Sequence, residues 1–157
     1  MHEVHIITRI IVCGAQENTL YTCEDLARDF GDRVTLHTGP SLGPEGSLLD
    51  RAPVAGTEVE LVPELIRPIR PLTDASCYRK LKRRLRALRP DVVHTHSAKA
   101  GILGRLAAWA AKVPVVVHTV HGAPFYAYQN PLVRSFYRRC DRLAAARCHR
   151  LISVADA

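Results

Sequence analysis

The sequence predicts an α/β fold, a Rossmann-like parallel sheet with helices on both faces, and three observations predict it. Short β-branched runs alternate with longer amphipathic stretches, the pattern of βαβ units. The run from Asp91 to His96 is nearly continuous in apolar and β-branched character, as suits a strand buried on both faces. The 157 residues, 47% apolar and 24% charged, are enough for one globular domain and short for two.

The first strand is expected from Val4 to Thr8. A loop through Cys13, Gly14 and Ala15 leads to a helix from Gln16 to Phe30. Leu20, Cys23, Leu26, Ala27 and Phe30 recur at helical spacing and give it one apolar face. Gly31 then stops it, since glycine tolerates a left-handed backbone. A second strand fits Arg33–Thr38. Residues 39–57 hold four glycines and three prolines, which reads as a surface loop. A third strand fits Glu58–Val62, and a helix follows from Asp74 to Leu88, closed by Pro90. After the fourth strand, Asp91–His96, Ser97 is placed to cap a helix reaching Ala111. Gly101 and Gly104 in that helix allow close packing on the sheet, offsetting their cost to the helix. Val115–Val120 is a fifth strand, Pro131–Ala146 a helix and Leu151–Val154 a sixth strand. No repeat or linker divides the chain, so residues 1–157 read as one domain.

Composition narrows the classes. The longest apolar runs, such as Val113–Val117, fall far short of the roughly 20 residues a helix needs to cross a bilayer. The N-terminus lacks a basic segment followed by a long apolar one, and Arg9 interrupts the run from Ile6 to Val12, so no secretory leader is expected. Five cysteines, Cys13, Cys23, Cys77, Cys140 and Cys148, form no CxxC pair. An odd count without that spacing argues against a disulfide framework or a zinc ribbon and for buried thiols in a reducing cytoplasm. The net charge of +7 suits phosphate-rich ligands, anionic lipid or nucleic acid, and by itself does not choose among them.

In an open parallel sheet, ligands bind beyond the carboxyl ends of the strands, and three segments fall there. Arg9–Glu17 places Gly14, Ala15 and Gln16 between a strand and a helix, where free N–H groups and the helix dipole can hold a phosphate. Neither GxGxxG nor a P-loop is present, so a plain tight turn stays open as the other reading. His94 to Gly101 carries His96, Ser97 and Lys99. Period-2 geometry puts His94 and His96 on one side of their strand. With His118 and His121 they suggest zinc, yet no carboxylate or cysteine at ligand spacing joins them, so no metal is expected. Lys99 at a helix start opposes the dipole and leaves room for an anion nearby. His118 to Phe125 ends a strand in His121, which can exchange a proton near neutral pH, with Gly122 allowing close approach and Pro124 a turn.

The helix from Tyr78 to Arg89 is strongly basic. Leu81, Leu85 and Leu88 form one face, and Arg79, Lys82, Arg83 and Arg86 stand among the cations on the remainder. A solvated outer face and a surface that docks on an anionic membrane are both open. Nucleic acid is not expected, because no aromatic residues interleave with the charges.

At these same positions the chain resembles the N-terminal domain of GT-B glycosyltransferases of family 4 type. The resemblance rests on Ile6-Ile7-Thr8-Arg9 with Gly14-Ala15-Gln16-Glu17-Asn18, Pro90 to Ser97, Lys99 to Arg105, and Val117 to Gly122, in that order. It implies an acceptor-side domain facing a second domain that binds a nucleotide sugar, and retaining transfer that needs no metal or cofactor. It implies that Gly14 approaches the donor diphosphate and that His121, as the catalytic candidate, lies against the donor sugar. Stabilising charge on the departing diphosphate would be the main task. It further implies a nucleotide-sugar donor, a glycan or lipid-linked acceptor in envelope or exopolysaccharide synthesis, and a cytoplasmic, membrane-peripheral setting.

Two departures stand out. Cys13 precedes Gly14 where the family carries a second glycine, so a side chain either crowds the diphosphate or turns into the core. The donor-binding domain is absent from residues 1–157, so this chain alone is not expected to transfer sugar, and a longer enzyme or a partner chain is expected to supply the other wall. A GT-B sugar-nucleotide epimerase and a non-catalytic module that recruits an acceptor or partner remain as alternatives.

Overall fold

The computed structural model describes residues 1–41, 44–52, 56–122 and 130–154. Six strands, β1 (His2–Ile7), β2 (Arg33–Thr38), β3 (Thr57–Leu61), β4 (Val92–His96), β5 (Val115–Val120) and β6 (Arg150–Ser153), form one parallel sheet. Four helices, α1 (Gly14–Asp29), α2 (Pro71–Leu88), α3 (Ala98–Ala111) and α4 (Pro131–Ala145), connect them. The strand order is β3-β2-β1-β4-β5-β6, so the winding reverses between β1 and β4. In an open α/β sheet that reversal opens a crevice at the carboxyl edge. The expected Rossmann-like class is the one observed.

The core lies mainly between the sheet and the α2–α3 layer. Val4, Ile6, Val93 and Val116 from the strands meet Cys77, Leu81 and Leu85 of α2 and Ala100, Ala107 and Ala108 of α3, all buried. Small residues let α3 lie against the sheet. A Cβ on Gly101 would stand 2.4 Å from Cε1 of His118, and one on Gly104 would stand 2.7 Å from Thr95 Cγ2. α4 packs beside α3, where buried Arg105 bonds Asp141 at 2.6 Å and the Gly101 carbonyl at 2.8 Å.

α1 takes the opposite face, with Leu20 and Cys23 buried. A second cluster there joins Ile7, Ile10, Leu20 and Leu36 to Leu48 and Ala52. The stretch 39–57 is therefore not only a surface loop; two of its residues close the core under α1.

Several boundaries differ from expectation for identifiable reasons. α1 starts at Gly14 rather than Gln16, because Cys13 in extended conformation already accepts from the Gln16 and Glu17 N–H groups at 3.0 Å. Phe30 is not on the core face; it is the helix's C-cap and is 75% exposed, followed by Gly31 at φ +65°. α2 starts three residues earlier, at Pro71, whose fixed φ suits the first helical position. Asp74 reaches back to the Arg70 N–H at 3.1 Å and seals that end. β3 and β6 each sit one residue earlier than expected. Asn130 caps α4 by accepting from the Leu132 N–H at 2.9 Å.

β4 is buried more deeply on one face than the other. Val93 and Thr95 face α3 and are buried, while on the other side Val92 and His94 are half-buried and His96 is buried. Among the described residues no helix covers that side of β5 and β6, where Val115 is 38% and Ile152 45% exposed.

Candidate functional site

β1, β4 and β5 end side by side at the carboxyl edge, and their polar residues are bonded to one another there. Thr8 follows β1, and its hydroxyl lies 2.8 Å from that of Ser97, which follows β4. The same Thr8 hydroxyl accepts from the Ala100 N–H at 3.3 Å, and the Thr8 carbonyl accepts from the Gly39 N–H at 3.2 Å. A Cβ on Gly39 would stand 2.7 Å from that carbonyl and closer still to the Leu65 carbonyl, so only glycine fits.

Ser97 does precede the first residue of α3, but its side chain makes no capping bond. Its backbone sits at φ 60°, ψ 163°, a region almost reserved for glycine. The hydrogen bond to Thr8 helps hold it there.

Four histidines gather on one side of the sheet beneath this edge. His94 and His96 share a face as the strand period required, with ring centroids 4.2 Å apart. His5 of β1, not singled out in the sequence, joins them: its Nδ1 stands 3.1 Å from Nε2 of His96. Nδ1 of His96 stands 3.2 Å from Nε2 of His121. His94 Nε2 bonds the Thr119 hydroxyl at 2.7 Å. His118 is not in this group. It faces α3 and bonds the Thr95 hydroxyl at 3.0 Å and carbonyl at 2.9 Å.

Burial pushes His94 down to about 3 and His118 to about 4, and holds His96 well below the ordinary imidazole value; positive neighbours add to the effect. Burial also lowers His121, which is half-buried. Burial alone would lower His5 as well, but Cys23 and Glu3 beside it outweigh that and raise it to about 9. Nitrogens of His5, His94 and His96 all lie within 4.8 Å of one another, which is the making of a cation site. Hydrogen-bond partners already occupy Nδ1 of His5, both nitrogens of His96 and Nε2 of His94.

The first loop borders the same edge. α1 has no side-chain cap, so the N–H groups of Gly14 and Ala15 face outward from its positive end. A Cβ on Gly14 would meet nothing within 4 Å. The Gln16 side-chain oxygen is buried without a hydrogen-bond partner among the described residues. Cys13 is exposed, so it does not turn into the core. No bond ties Gly14, Ala15 or Gln16 to the histidine line; the two features share an edge of the sheet.

Lys99 sits in the first turn of α3, but its ammonium reaches α2, where it pairs with Asp74 at 2.5 Å and donates to the Pro68 carbonyl. Its charge is thus balanced within the protein. Gly122 is exposed at the end of β5. The continuation Ala123-Pro124-Phe125 lies outside the described residues. Thr8, Gly39 and His5 could have been found in the sequence from one signal, polar or glycine residues at or beside strand ends and interiors otherwise filled by Ile and Val.

The family model of the glycosyl transferase 4-like domain matches residues 14–157. The chain belongs to this family. Over 150 residues, 96% of its length, it is 44% identical to the Escherichia coli protein named UDP-Gal:alpha-D-GlcNAc-diphosphoundecaprenol alpha-1,3-galactosyltransferase, and it spans 37% of that protein. Solved structures share the fold at low identity. MurG of Acinetobacter baumannii superposes with a TM-score of 0.68 at 13% identity, over 99% of this chain and 42% of MurG. A UDP-GlcNAc 2-epimerase from Neisseria meningitidis, solved with UDP-GlcNAc bound, gives 0.59 at 15% identity, over 98% and 40%. This glycosyl transferase 4-like chain therefore spans well under half the length of the relatives it matches.

Proposed function

We propose that residues 1–157 form the acceptor-side wall of a retaining glycosyltransferase that moves a sugar from a nucleotide sugar to a lipid-linked saccharide. The observation that carries this reading is the 44% identity, along nearly the whole chain, to a relative named for a UDP-Gal donor and a diphosphoundecaprenol-linked acceptor. The site chemistry is compatible with it. Outward N–H groups at Gly14 and Ala15, with the free acceptor of Gln16, suit a diphosphate and its neighbouring hydroxyls. His121 stands at the end of β5 to hydrogen-bond the donor sugar or the departing oxygen. His96 supports it from behind, and Ser97 and Gly122 shape the acceptor side. Lys99 braces α3 against α2 beneath them. The transfer needs no metal or cofactor on this reading. Residues 1–157 alone do not perform it, because a water-excluding cleft needs a second wall.

On this reading the lipid-linked acceptor draws the protein to the inner face of the cell membrane. No helix among the described residues is long and apolar enough to cross a membrane. On α2, Arg79, Arg83 and Arg86 are exposed and Lys82 is half-buried, but Leu81 and Leu85 are spent on the core. α4 offers both components. Leu132, Phe136 and Leu143 are 80%, 52% and 51% exposed. Beside them runs a groove of about 420 Å³ lined by Pro131, Arg134, Ser135, Arg138, Arg139 and Arg142. Apolar insertion flanked by arginines is the pattern of a helix that lies in an anionic interface.

The test joins this chain to the remaining length of the Escherichia coli relative and offers UDP-Gal with a GlcNAc-diphosphoundecaprenol acceptor. Transfer is expected, with the anomeric configuration of the sugar kept. His121→Ala is expected to lower kcat by about 100- to 1,000-fold, the usual loss for a donor that stabilises developing charge. Undiminished turnover by that variant would sink the role given to His121. An epimerised nucleotide sugar without transfer would sink the transferase reading itself.

A further inference from the structure

α4 has three faces, and the fold uses only one of them. Ala144 is buried and Asp141 holds the buried Arg105 of α3, so the row through these two faces the core. Asp141 is the helix's one carboxylate, and it is engaged there. At 3.6 residues per turn Arg134, Arg138 and Arg142 form a second row, with Ser135 and Arg139 on its flank away from Asp141. These side chains and Pro131 line the groove of about 420 Å³. None of its guanidinium groups pairs with a carboxylate among the described residues. Leu132, Phe136 and Leu143 form the third row, beside Arg139, and all are exposed. At 1.5 Å per residue that apolar row is roughly 16 Å long.

We propose that this groove binds the diphosphate of a polyprenyl diphosphate lipid, with the prenyl chain laid along Leu132, Phe136 and Leu143. The inference rests on the glycosyltransferase reading for its purpose, since the acceptor proposed there is such a lipid. It gives that lipid a site of its own, apart from the histidines and the first loop. A guanidinium presents paired N–H donors that match two oxygens of one phosphate, so neighbouring arginines can hold two linked phosphates together. Ser135 adds a hydroxyl donor to the same lining. No carboxylate among the lining residues opposes the anion. Shape selects further: a flat array of head groups cannot enter a groove, whereas a single head group can.

The apolar row borders the arginine face along one helix, so the head and tail of a single amphiphile meet adjacent surfaces. An isolated phosphate would leave the apolar row in water, and a bare hydrocarbon would leave the guanidinium groups without an anion. A compact polyanion at the head of an apolar chain satisfies both. α2 lacks this pairing, because Arg79, Arg83 and Arg86 are exposed while Leu81 and Leu85 are buried in the core. The bond from Arg105 to Asp141 fixes the rotation of α4 that leaves its other two faces open.

Farnesyl diphosphate, which needs no membrane to carry it, is titrated into the chain by calorimetry beside inorganic pyrophosphate and farnesol. It is expected to bind more tightly than either; no binding overturns the proposal. Arg138→Gln with Arg142→Gln, which removes two charge-assisted contacts, is expected to weaken it about tenfold or more. Arg83→Gln with Arg86→Gln takes equal charge from α2 and is expected to leave it unchanged. All four side chains are exposed, so both variants keep the fold. An equal loss in the two pairs would make the effect one of diffuse charge and overturn the site. Leu132→Ser with Phe136→Ser is expected to weaken farnesyl diphosphate and to spare pyrophosphate. Pyrophosphate binding as tightly as farnesyl diphosphate would make the groove a free-phosphate site and overturn the lipid. Phosphatidylcholine vesicles carrying undecaprenyl diphosphate are expected to hold the chain more tightly than phosphatidylglycerol vesicles of the same surface charge. Equal binding would reduce α4 to a general anionic surface and overturn the proposal. If the enzyme joined to its other half transfers sugar and Arg138→Gln with Arg142→Gln leaves its KM for the lipid acceptor unchanged, the site fails while the transferase reading stands. If farnesyl diphosphate binds as expected and no sugar is transferred, the transferase reading fails while the site stands.

Discussion

At the residue scale the histidines set how stability depends on pH. His94 and His118 titrate near 3 and 4 when folded and near 6.5 when unfolded, and His96 shifts the same way. Between those limits the unfolded chain binds more protons, so stability is lost as pH falls from 6.5 toward 3. His5 has the opposite sign. Its folded value near 9 lies above 6.5, so the stability it contributes is present below 6.5 and lost as pH rises through 9. The melting temperature is therefore expected to peak near pH 6.5 and fall on both sides. In Glu3→Gln, which removes the smaller of the two partners that raise His5, the alkaline fall should flatten in part while the acid fall persists. A scan of thermal melting against pH in both proteins checks this, and a profile still rising at pH 8 would contradict it.

At the element scale α3 holds the fold together, because it touches α2, α4 and the sheet through small residues. Two glycines at helix starts should respond to alanine in opposite ways. Gly101→Ala drives a Cβ to 2.4 Å from the His118 ring, whose Nδ1 is fixed by Thr95. The overpacking is expected to cost about 1–3 kcal/mol after the gain in helix propensity is counted. Gly14→Ala meets no atom within 4 Å and is expected to hold or raise stability by up to about 1 kcal/mol. Urea denaturation of the two variants gives the comparison. The link from Arg105 to Asp141 explains why α4 follows α3, since removing the carboxylate would leave a guanidinium buried at 1% exposure.

At the scale of the whole molecule the net charge of +7 is unevenly placed. Arg134, Arg138, Arg139 and Arg142 on α4 make no ion pair among the described residues, and Leu132 and Phe136 stand exposed beside them. Arg28 and Lys80, by contrast, pair with acidic neighbours. Binding to phosphatidylglycerol-rich vesicles is expected and should weaken with salt. Reversing Arg138 and Arg142 to Glu should lower it by roughly 30-fold or more, at about 1 kcal/mol for each cation near the surface. Arg83→Glu with Arg86→Glu tests the share of α2. Cosedimentation measures both, and binding that neither pair alters would remove the membrane surface from the proposal.

The order of elements was legible in the sequence because strand and helix periodicities are local. Val115–Val120 and Arg33–Thr38 match residue for residue, and the glycines of α3 announced close packing before any partner was visible. The pairing of His94 with His96 followed from the two-residue period of a strand. The partners of His5 and Thr8 were not legible, because parallel pairing of β1 with β4 joins residues about ninety positions apart and only the sheet register aligns them. The fate of Lys99 depended on where α2 laid Asp74, and that of Ser97 on a hydroxyl from another strand. The exposed stripe of α4 appears only once α3 has taken the neighbouring face. Local periodicity thus determined which segments are strands and helices, while long-range register and packing decided which polar groups meet and which apolar faces stay open.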